Sequence, residues 1–103
     1  MTTLPDVYSW AVGTYTPEVD PGDTVEVYVD VSTGDGYENL PIYFEVHAFG
    51  TTRKTSTYYQ PPRTTRRYYI KVPVPTYTSP GTYSIGVTLY KGTEVGEAPP
   101  GAI

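Results

Sequence analysis

Few residues of this 103-residue chain could carry out acid–base or nucleophilic chemistry. His47 is the only histidine, and the sequence contains no cysteine. Disulfides, thiolate metal sites, cysteine nucleophiles and paired-histidine mechanisms are therefore excluded. A serine or threonine nucleophile needs a base beside it. His47 falls at an outward position of a predicted strand, and the sequence has no Gly-x-Ser-x-Gly elbow. We expect no enzymatic activity and no cofactor.

Carboxylates are the other chemically capable groups. Asp20 with Asp23, or Asp30 with Asp35 and Glu38, could supply oxygen ligands to calcium, which takes about six to eight of them. Their spacing matches no EF-hand loop, and the Asp35–Gly36 step is explained by turn formation. Paired carboxylates could also hydrolyse a glycosidic bond, but these acids fall in turns and at strand rims. We predict no metal site, with calcium at the acidic loops left open.

The charges are segregated along the chain. Residues 1–45 hold nine acidic and no basic residues, whereas residues 46–93 hold all seven basic residues and no acidic one. This pattern fits cross-strand pairing between an acidic early strand and a basic later strand. It also fits a bipolar surface that is used for head-to-tail assembly.

One basic run, residues 58–71, is interleaved with tyrosines. Proteins that bind single-stranded nucleic acids combine cations for the phosphates with aromatic rings for the bases. The net charge of −4 opposes this interpretation, as does the acidic strand expected beside the run. A hairpin with tyrosines in its strands produces the same pattern, so we expect no nucleic-acid partner.

Composition indicates strands rather than helices. Threonine (17), tyrosine (12) and valine (12) are abundant, while leucine (3) and alanine (4) are scarce. Seven short strands are predicted from alternation and turn residues: 7–12, 24–31, 40–49, 54–59, 65–72, 81–90 and 93–97. Tyr8, Trp10 and Val12 share one face of the first. The predicted core comprises Trp10, Val27, Val29, Ile42, Phe44, Val46, Ile70, Ile85 and Val87.

Two motifs resemble the immunoglobulin-like (Ig-like) β-sandwich family, in particular bacterial and archaeal surface domains and the CARDB class. They are residues 21–27, Pro-Gly-Asp-Thr-Val-Glu-Val, and residues 80–85, Pro-Gly-Thr-Tyr-Ser-Ile. In this resemblance Tyr83 is a tyrosine corner, Ile85 replaces the disulfide cysteine, and Ser79 stands where Asp is usual. It implies an antiparallel Ig-like sandwich of about seven strands in two sheets over residues 1–98, followed by a Pro/Gly tail, 99–103. The family's usual role is structural or adhesive.

Tyrosine is in surplus at outward strand positions. Tyr28 and Tyr69 are expected to share one sheet, and Tyr43 and Tyr90 the other. Cross-strand aromatic pairing that stabilises each sheet is one interpretation. A protein contact is another, because tyrosine and arginine are enriched at interfaces. Sugar stacking on a flat aromatic face is a third.

We therefore expect a structural or interaction protein that assembles by protein contacts, through these four tyrosines, Arg66, Arg67 and Ile103. A virion decoration or coat-associated protein and a surface filament subunit both fit, which implies a virion or external location. A carbohydrate-binding module is the alternative. No signal peptide and no membrane-spanning stretch are predicted. The scarcity of side-chain amides, with only Asn39 and Gln60 present, suggests a thermostable protein.

Overall fold

The chain folds into antiparallel β-strands. A computed structural model describes residues 3–13 and 18–92, in which there are nine strands and no helix. The strands are β1 (Val7–Val12), β2 (Glu18–Val19), β3 (Thr24–Thr33), β4 (Leu40–Ala48), β5 (Thr51–Lys54), β6 (Tyr58–Gln60), β7 (Thr65–Pro73), β8 (Gly81–Thr82) and β9 (Gly86–Lys91). The all-β prediction is confirmed, and the described residues contain no membrane-spanning helix. The predicted strand 93–97 and the tail 99–103 lie outside them.

The first sheet has the strand order β1-β3-β7. Alternation of valine with polar residues gives β3 one buried face, so its register with β7 is strongly specified. Tyr28 lies opposite Tyr69, and Asp30 lies opposite Arg67. The predicted strands 24–31 and 65–72 are confirmed, with two residues and one residue more at their respective ends.

The second sheet is built around β4. Ile42 pairs with both Tyr58 and Lys91, so β6 and β9 lie on opposite edges of β4. Val46 likewise pairs with both Arg53 and Val87, which places β5 on the same edge as β6. β5 and β6 thus form one edge of this sheet, and β9 forms the other among the described residues.

The predicted strand 54–59 is wrong in its bounds, because this edge is interrupted. The register shifts by one residue between β5 and β6, as in a β-bulge. Thr55 bridges the break: its N–H donates to the Phe44 carbonyl at 2.8 Å, and its hydroxyl accepts the Phe44 N–H at 2.9 Å. The threonine side chain therefore replaces a backbone acceptor in the ladder.

The predicted strand 81–90 is also wrong as one continuous element. Gly81 and Thr82 pair with β2 in a separate two-stranded sheet, and β9 begins only at Gly86. Between them the Tyr83 hydroxyl donates to the Ser79 carbonyl at 2.6 Å. Ile85 then enters the core with only 1% of its surface exposed.

One apolar cluster joins the inner faces of the two larger sheets. It consists of Val27, Val29, Val31, Leu40, Ile42, Phe44, Val46, Ala48, Tyr68, Ile70, Val72 and Ile85. The predicted core is confirmed at the seven positions that this cluster contains, and Val87 is half-buried against it.

The prediction that Trp10 belongs to the core is wrong, and so is the expectation that Tyr8 shares its face. Tyr8 is 83% exposed and Trp10 is 40% exposed. A register shift between Val7 and Ser9 leaves Tyr8 as a bulge residue with no partner in the ladder. Trp10 lies opposite Val31, but β1 is the edge strand of its sheet and the indole is covered on only part of its surface.

Buried Gln60 connects the two sheets. Its side-chain amide donates to the Val31 carbonyl of β3 at 2.8 Å, and its side-chain oxygen accepts the Tyr68 hydroxyl at 2.9 Å. Gln60 has no exposed surface, so these hydrogen bonds replace the water that its amide would otherwise need. β6 is thereby fixed against the opposite sheet.

Candidate interaction surface

The outer face of the first sheet carries a cluster of four side chains, which we call the Tyr28 cluster: Tyr28, Asp30, Arg67 and Tyr69. The two tyrosine rings are 6.4 Å apart between centroids and tilted by 54°. Arg67 places its guanidinium carbon 3.9 Å from the centroid of the Tyr28 ring. It also donates Nε to Asp30 Oδ1 at 2.8 Å and Nη2 to Asp30 Oδ2 at 3.1 Å. The sequence prediction that Tyr28 and Tyr69 share a sheet is confirmed.

Charge pairing fixes this cluster. The hydrogen bond from Arg67 lowers the pKa of Asp30, and the same bond raises the pKa of Arg67. Glu26 and Lys71 lie opposite each other in the same ladder. The interpretation of the charge pattern as acid-to-base pairing between neighbouring strands is therefore confirmed at Asp30 and Arg67.

Gly13 makes room for the Tyr28 ring, a role that no pattern in the sequence indicates. Its N–H donates to the Tyr28 carbonyl at 2.7 Å, so the backbone after β1 lies directly beside β3. A Cβ atom on Gly13 would overlap the outer part of the Tyr28 ring. A bare backbone at this position therefore permits the ring position seen in the cluster.

The outer face of the second sheet carries a second aromatic pair, which we call the Tyr43–Tyr90 pair. The two rings stack with centroids 5.2 Å apart and an interplanar angle of 15°. Lys54 Nζ lies 5.9 Å from the Tyr43 centroid. The negative charge of Glu45 is the largest cause that raises the pKa of Tyr90. The expected sharing of a sheet by Tyr43 and Tyr90 is confirmed.

His47 lies on the same outer face as this pair, in a short hydrogen-bonded series. His47 Nδ1 is 2.9 Å from Thr52 Oγ1, and His47 Nε2 is 3.2 Å from Glu45 Oε1. Hydroxyl, imidazole and carboxylate occur in this order in hydrolases, but there they lie in an enclosed cleft. Thr52 and His47 are exposed on an open sheet face. The arrangement is therefore that of a cross-strand polar pair that stabilises the hairpin of β4 and β5.

One described residue that was expected at the contact surface, Arg66, is not part of these groups. Arg66 lies opposite Val31, whose side chain is buried, so Arg66 projects toward the inner side of the sheet, away from Arg67. Burial raises the pKa of Tyr68, and the positive charge of Arg66 acts against that rise. Ile103 lies outside the described residues.

The acidic loop before β3 forms the turn that the sequence predicts. Asp23 Oδ2 accepts the Asp20 N–H at 2.9 Å, which closes the turn before β3. In the next acidic loop, Asp35 Oδ1 lies 3.9 Å from Arg63 Nη1, an exposed ion pair. Within residues 3–13 and 18–92, no three His, Asp or Glu side chains form a group that could hold a metal ion.

In comparisons with protein-family models, with curated proteins and with solved structures, none matches this chain.

Proposed function

We propose that the chain is an Ig-like β-sandwich that works as a structural or interaction module, without catalysis, by binding protein on a larger surface. A virion decoration or coat-associated protein and a surface filament subunit are the forms that we favour. The aromatic surfaces on the two outer sheet faces carry this proposal.

The Ig-like assignment is supported by strand order and by one hydrogen bond. In an Ig domain, strands A, B and E form one sheet and strands C and F pair in the other. The orders β1-β3-β7 and β4-β9 correspond to these two sets. The bond from the Tyr83 hydroxyl to the Ser79 carbonyl has the form of a tyrosine corner, two residues before buried Ile85.

The interaction role is supported by the state of the tyrosines before any partner binds. Tyr28 and Tyr90 are already held by neighbouring rings, and Arg67 and Glu45 add charged contacts. Aromatic side chains that are fixed in advance lose less conformational entropy on binding. Tyrosines on both outer faces favour a protein that contacts two neighbours, since a sugar-binding module needs one aromatic platform.

A photo-crosslinking amino acid tests the proposal. Incorporated in place of Tyr43, or of Tyr69, it should form a specific crosslink to a protein, either a second copy or a partner from the source organism. The matched control is position 37, where Tyr37 is 84% exposed but belongs to neither aromatic group. Mass spectrometry of the crosslinked peptides identifies the partner.

Alanine variants give the energetic test. Tyr43→Ala or Tyr69→Ala should weaken the crosslinked complex by about 2 kcal/mol or more if the residue anchors it, while Tyr37→Ala should not. Saturable binding to a glycan array that Tyr43→Ala abolishes, from a protein that forms no crosslink at any position, would instead establish the carbohydrate-binding alternative.

A further inference from the structure

The outer edge of β7 has no strand beside it among the described residues, because β7 ends the order β1-β3-β7. The Thr33 N–H donates to the Thr64 carbonyl, so the backbone of Thr33 faces β7, whereas the Tyr28 carbonyl accepts the Gly13 N–H on the side of β1. Backbone groups along a strand alternate in direction, so every second residue of β3 from Thr33 bonds to β7. Their partners in β7 are Arg66, Tyr68, Ile70 and Val72. The N–H and C=O groups of the intervening residues, Thr65, Arg67, Tyr69 and Lys71, point away from β3.

β7 is nine residues long, and an unpaired edge of that length is unusual in a soluble protein. Edges are usually blunted by proline, by a bulge or by charge. In β7 the only proline is Pro73, at the end of the strand, and its nine-residue register with β3 runs without a shift. The charge of Arg67 is paired with Asp30, and Lys71 lies opposite Glu26, so Arg66, near the start of the strand, is the cation of β7 that no acidic residue faces. Within the described part of the chain, the middle of the edge is therefore open to a further strand.

An apolar cleft of about 230 Å³ lies at the end of this edge, between β5 and β7. Val46 and Phe49 line it from the second sheet, and Val72 and Pro75 from the first sheet and the segment after it. Phe49 forms part of this wall with a positive φ of 53°, which is unusual for a bulky residue, and its ring packs on Tyr83. The volume suits one large aliphatic or aromatic side chain.

Two cations flank the edge on its inner side. Arg53 lies opposite Val46 and lines the cleft, and Arg66 lies opposite Val31 at the other end of β7. Neither has a carboxylate within 4 Å among the described residues. Residues 46–93, which include both arginines and all of β5 and β7, contain no acidic residue.

We propose that the free edge of β7 binds an extended acidic segment of a partner protein, which adds a strand to the first sheet. The partner's backbone pairs with Thr65, Arg67, Tyr69 and Lys71. Its carboxylates meet Arg53 and Arg66, and one large apolar side chain fills the cleft. Strand addition of this kind takes its affinity from backbone hydrogen bonds and its specificity from alternate side chains. This inference rests on the proposed protein-binding function and adds the place and the chemistry of the contact.

A synthetic peptide is the probe. It has the nine-residue length of β7, with Leu at positions 1 and 9, Glu at positions 3, 5 and 7 and Val between them, so that Leu and Glu share one face, and it carries a fluorophore. Fluorescence anisotropy should show saturable binding that weakens with added salt. Two control peptides separate the contributions: one has Lys in place of every Glu, and one is N-methylated at alternate residues so that it cannot pair as a strand. Neither control should bind.

Protein variants and amide exchange locate the binding site. The double variant Arg53→Gln, Arg66→Gln should weaken binding about tenfold or more, whereas Lys91→Gln, on a strand of the other sheet, should change it little. Amide exchange measured by NMR should slow at Arg67, Tyr69 and Lys71 when the peptide is bound. All three substitutions are at exposed side chains, so folding is checked simply by an unchanged melting temperature.

Several results would overturn the inference: no binding by the acidic peptide, equal binding by the N-methylated peptide, or unchanged exchange at the three amides. Slow exchange that appears without peptide, as the protein concentration rises, would show that a second copy occupies the edge instead. Failure of the peptide leaves the crosslinks at Tyr43 unaffected, since that residue is on the other sheet. Loss of those crosslinks with the peptide still bound would count against the proposed function alone.

Discussion

Arg67 and Asp30 face each other across β3 and β7 and are joined by two hydrogen bonds, of 2.8 and 3.1 Å. The same guanidinium lies over the Tyr28 ring. A two-point bond of this kind fixes the plane of the guanidinium, which a single contact does not. Asp30 therefore acts on Tyr28 through Arg67, and the acid-to-base pairing of the two strands also sets the form of the aromatic surface.

Asp30→Asn should remove a pH-dependent part of the stability. Because the folded-state pKa of Asp30 is lowered, its stabilisation is complete above the unfolded pKa, about 3.9, and is lost as the pH falls through the folded-state pKa. Urea unfolding should thus give wild type a higher free energy of unfolding than the variant at pH 7, and the two values should converge toward pH 2. Asp35→Asn, which removes the same charge at an exposed loop, is the control. A difference of equal size in that variant would attribute the effect to net charge.

Gln60→Met should destabilise the protein by about 1–3 kcal/mol, because the buried Tyr68 hydroxyl loses its acceptor while the side-chain volume changes little. Tyr68→Phe removes the other partner of that bond. The double variant should lose less free energy of unfolding than the sum of the two single variants. It contains neither the Tyr68 hydroxyl nor the Gln60 amide, so neither group of that hydrogen bond is left buried without its partner. Chemical denaturation of all four proteins measures this coupling. Strict additivity would show that the bond contributes nothing.

The aromatic pairs could be predicted from the sequence because strand alternation is a short-range pattern. Once 24–31 and 65–72 are assigned as strands with valine or isoleucine inward, Tyr28 and Tyr69 must face outward. The strand order that the Ig-like resemblance implies predicts one sheet for each pair, and the ladders of β3 with β7 and of β4 with β9 have them so. The opposite charges of Asp30 and Arg67 at matching positions reinforce that register.

The remaining features depend on single-residue irregularities that alternation does not encode. The bulge at Tyr8 shifts the pairing register of β1 with β3 by one residue, and the bulge beside Thr55 divides the edge of the second sheet into β5 and β6. Arg66 and Arg67 are adjacent in sequence and were predicted to border one contact, but neighbouring strand residues point to opposite faces. Gly13 is needed only because the backbone passes under a ring from another strand, which no local motif signals.

Glu45→Gln should lower the pKa of the Tyr90 phenol, because the charge of Glu45 is the main cause of its raised value. The neutral phenol is favoured in the folded state, so this contribution to stability is present below the unfolded pKa of about 10 and is lost as the pH rises through the folded-state pKa. NMR titration of the tyrosine ring carbons measures the shift directly. Glu38→Gln removes the same charge from an exposed loop residue, and the pKa of Tyr90 should not change in that variant.

Gly13→Ala should alter the Tyr28 cluster while leaving the core intact. The added methyl group overlaps the outer atoms of the Tyr28 ring, which can swing away, so the cost in folding free energy should stay below about 1 kcal/mol. The ring would then leave its place beneath Arg67, and the NMR signals of Tyr28 and Arg67 should shift while those of Phe44 do not. If the Tyr28 cluster binds protein, crosslinking from position 69 should fall in this variant, and crosslinking from position 43 should persist.

Gly22→Ala is the matched control for Gly13→Ala: its positive φ of 82° makes that substitution strained, but a Cβ there meets no atom within 4 Å. The control should therefore lose stability without any change at Tyr28. Unchanged Tyr28 signals in Gly13→Ala would show that the ring does not occupy the position over Gly13 in solution.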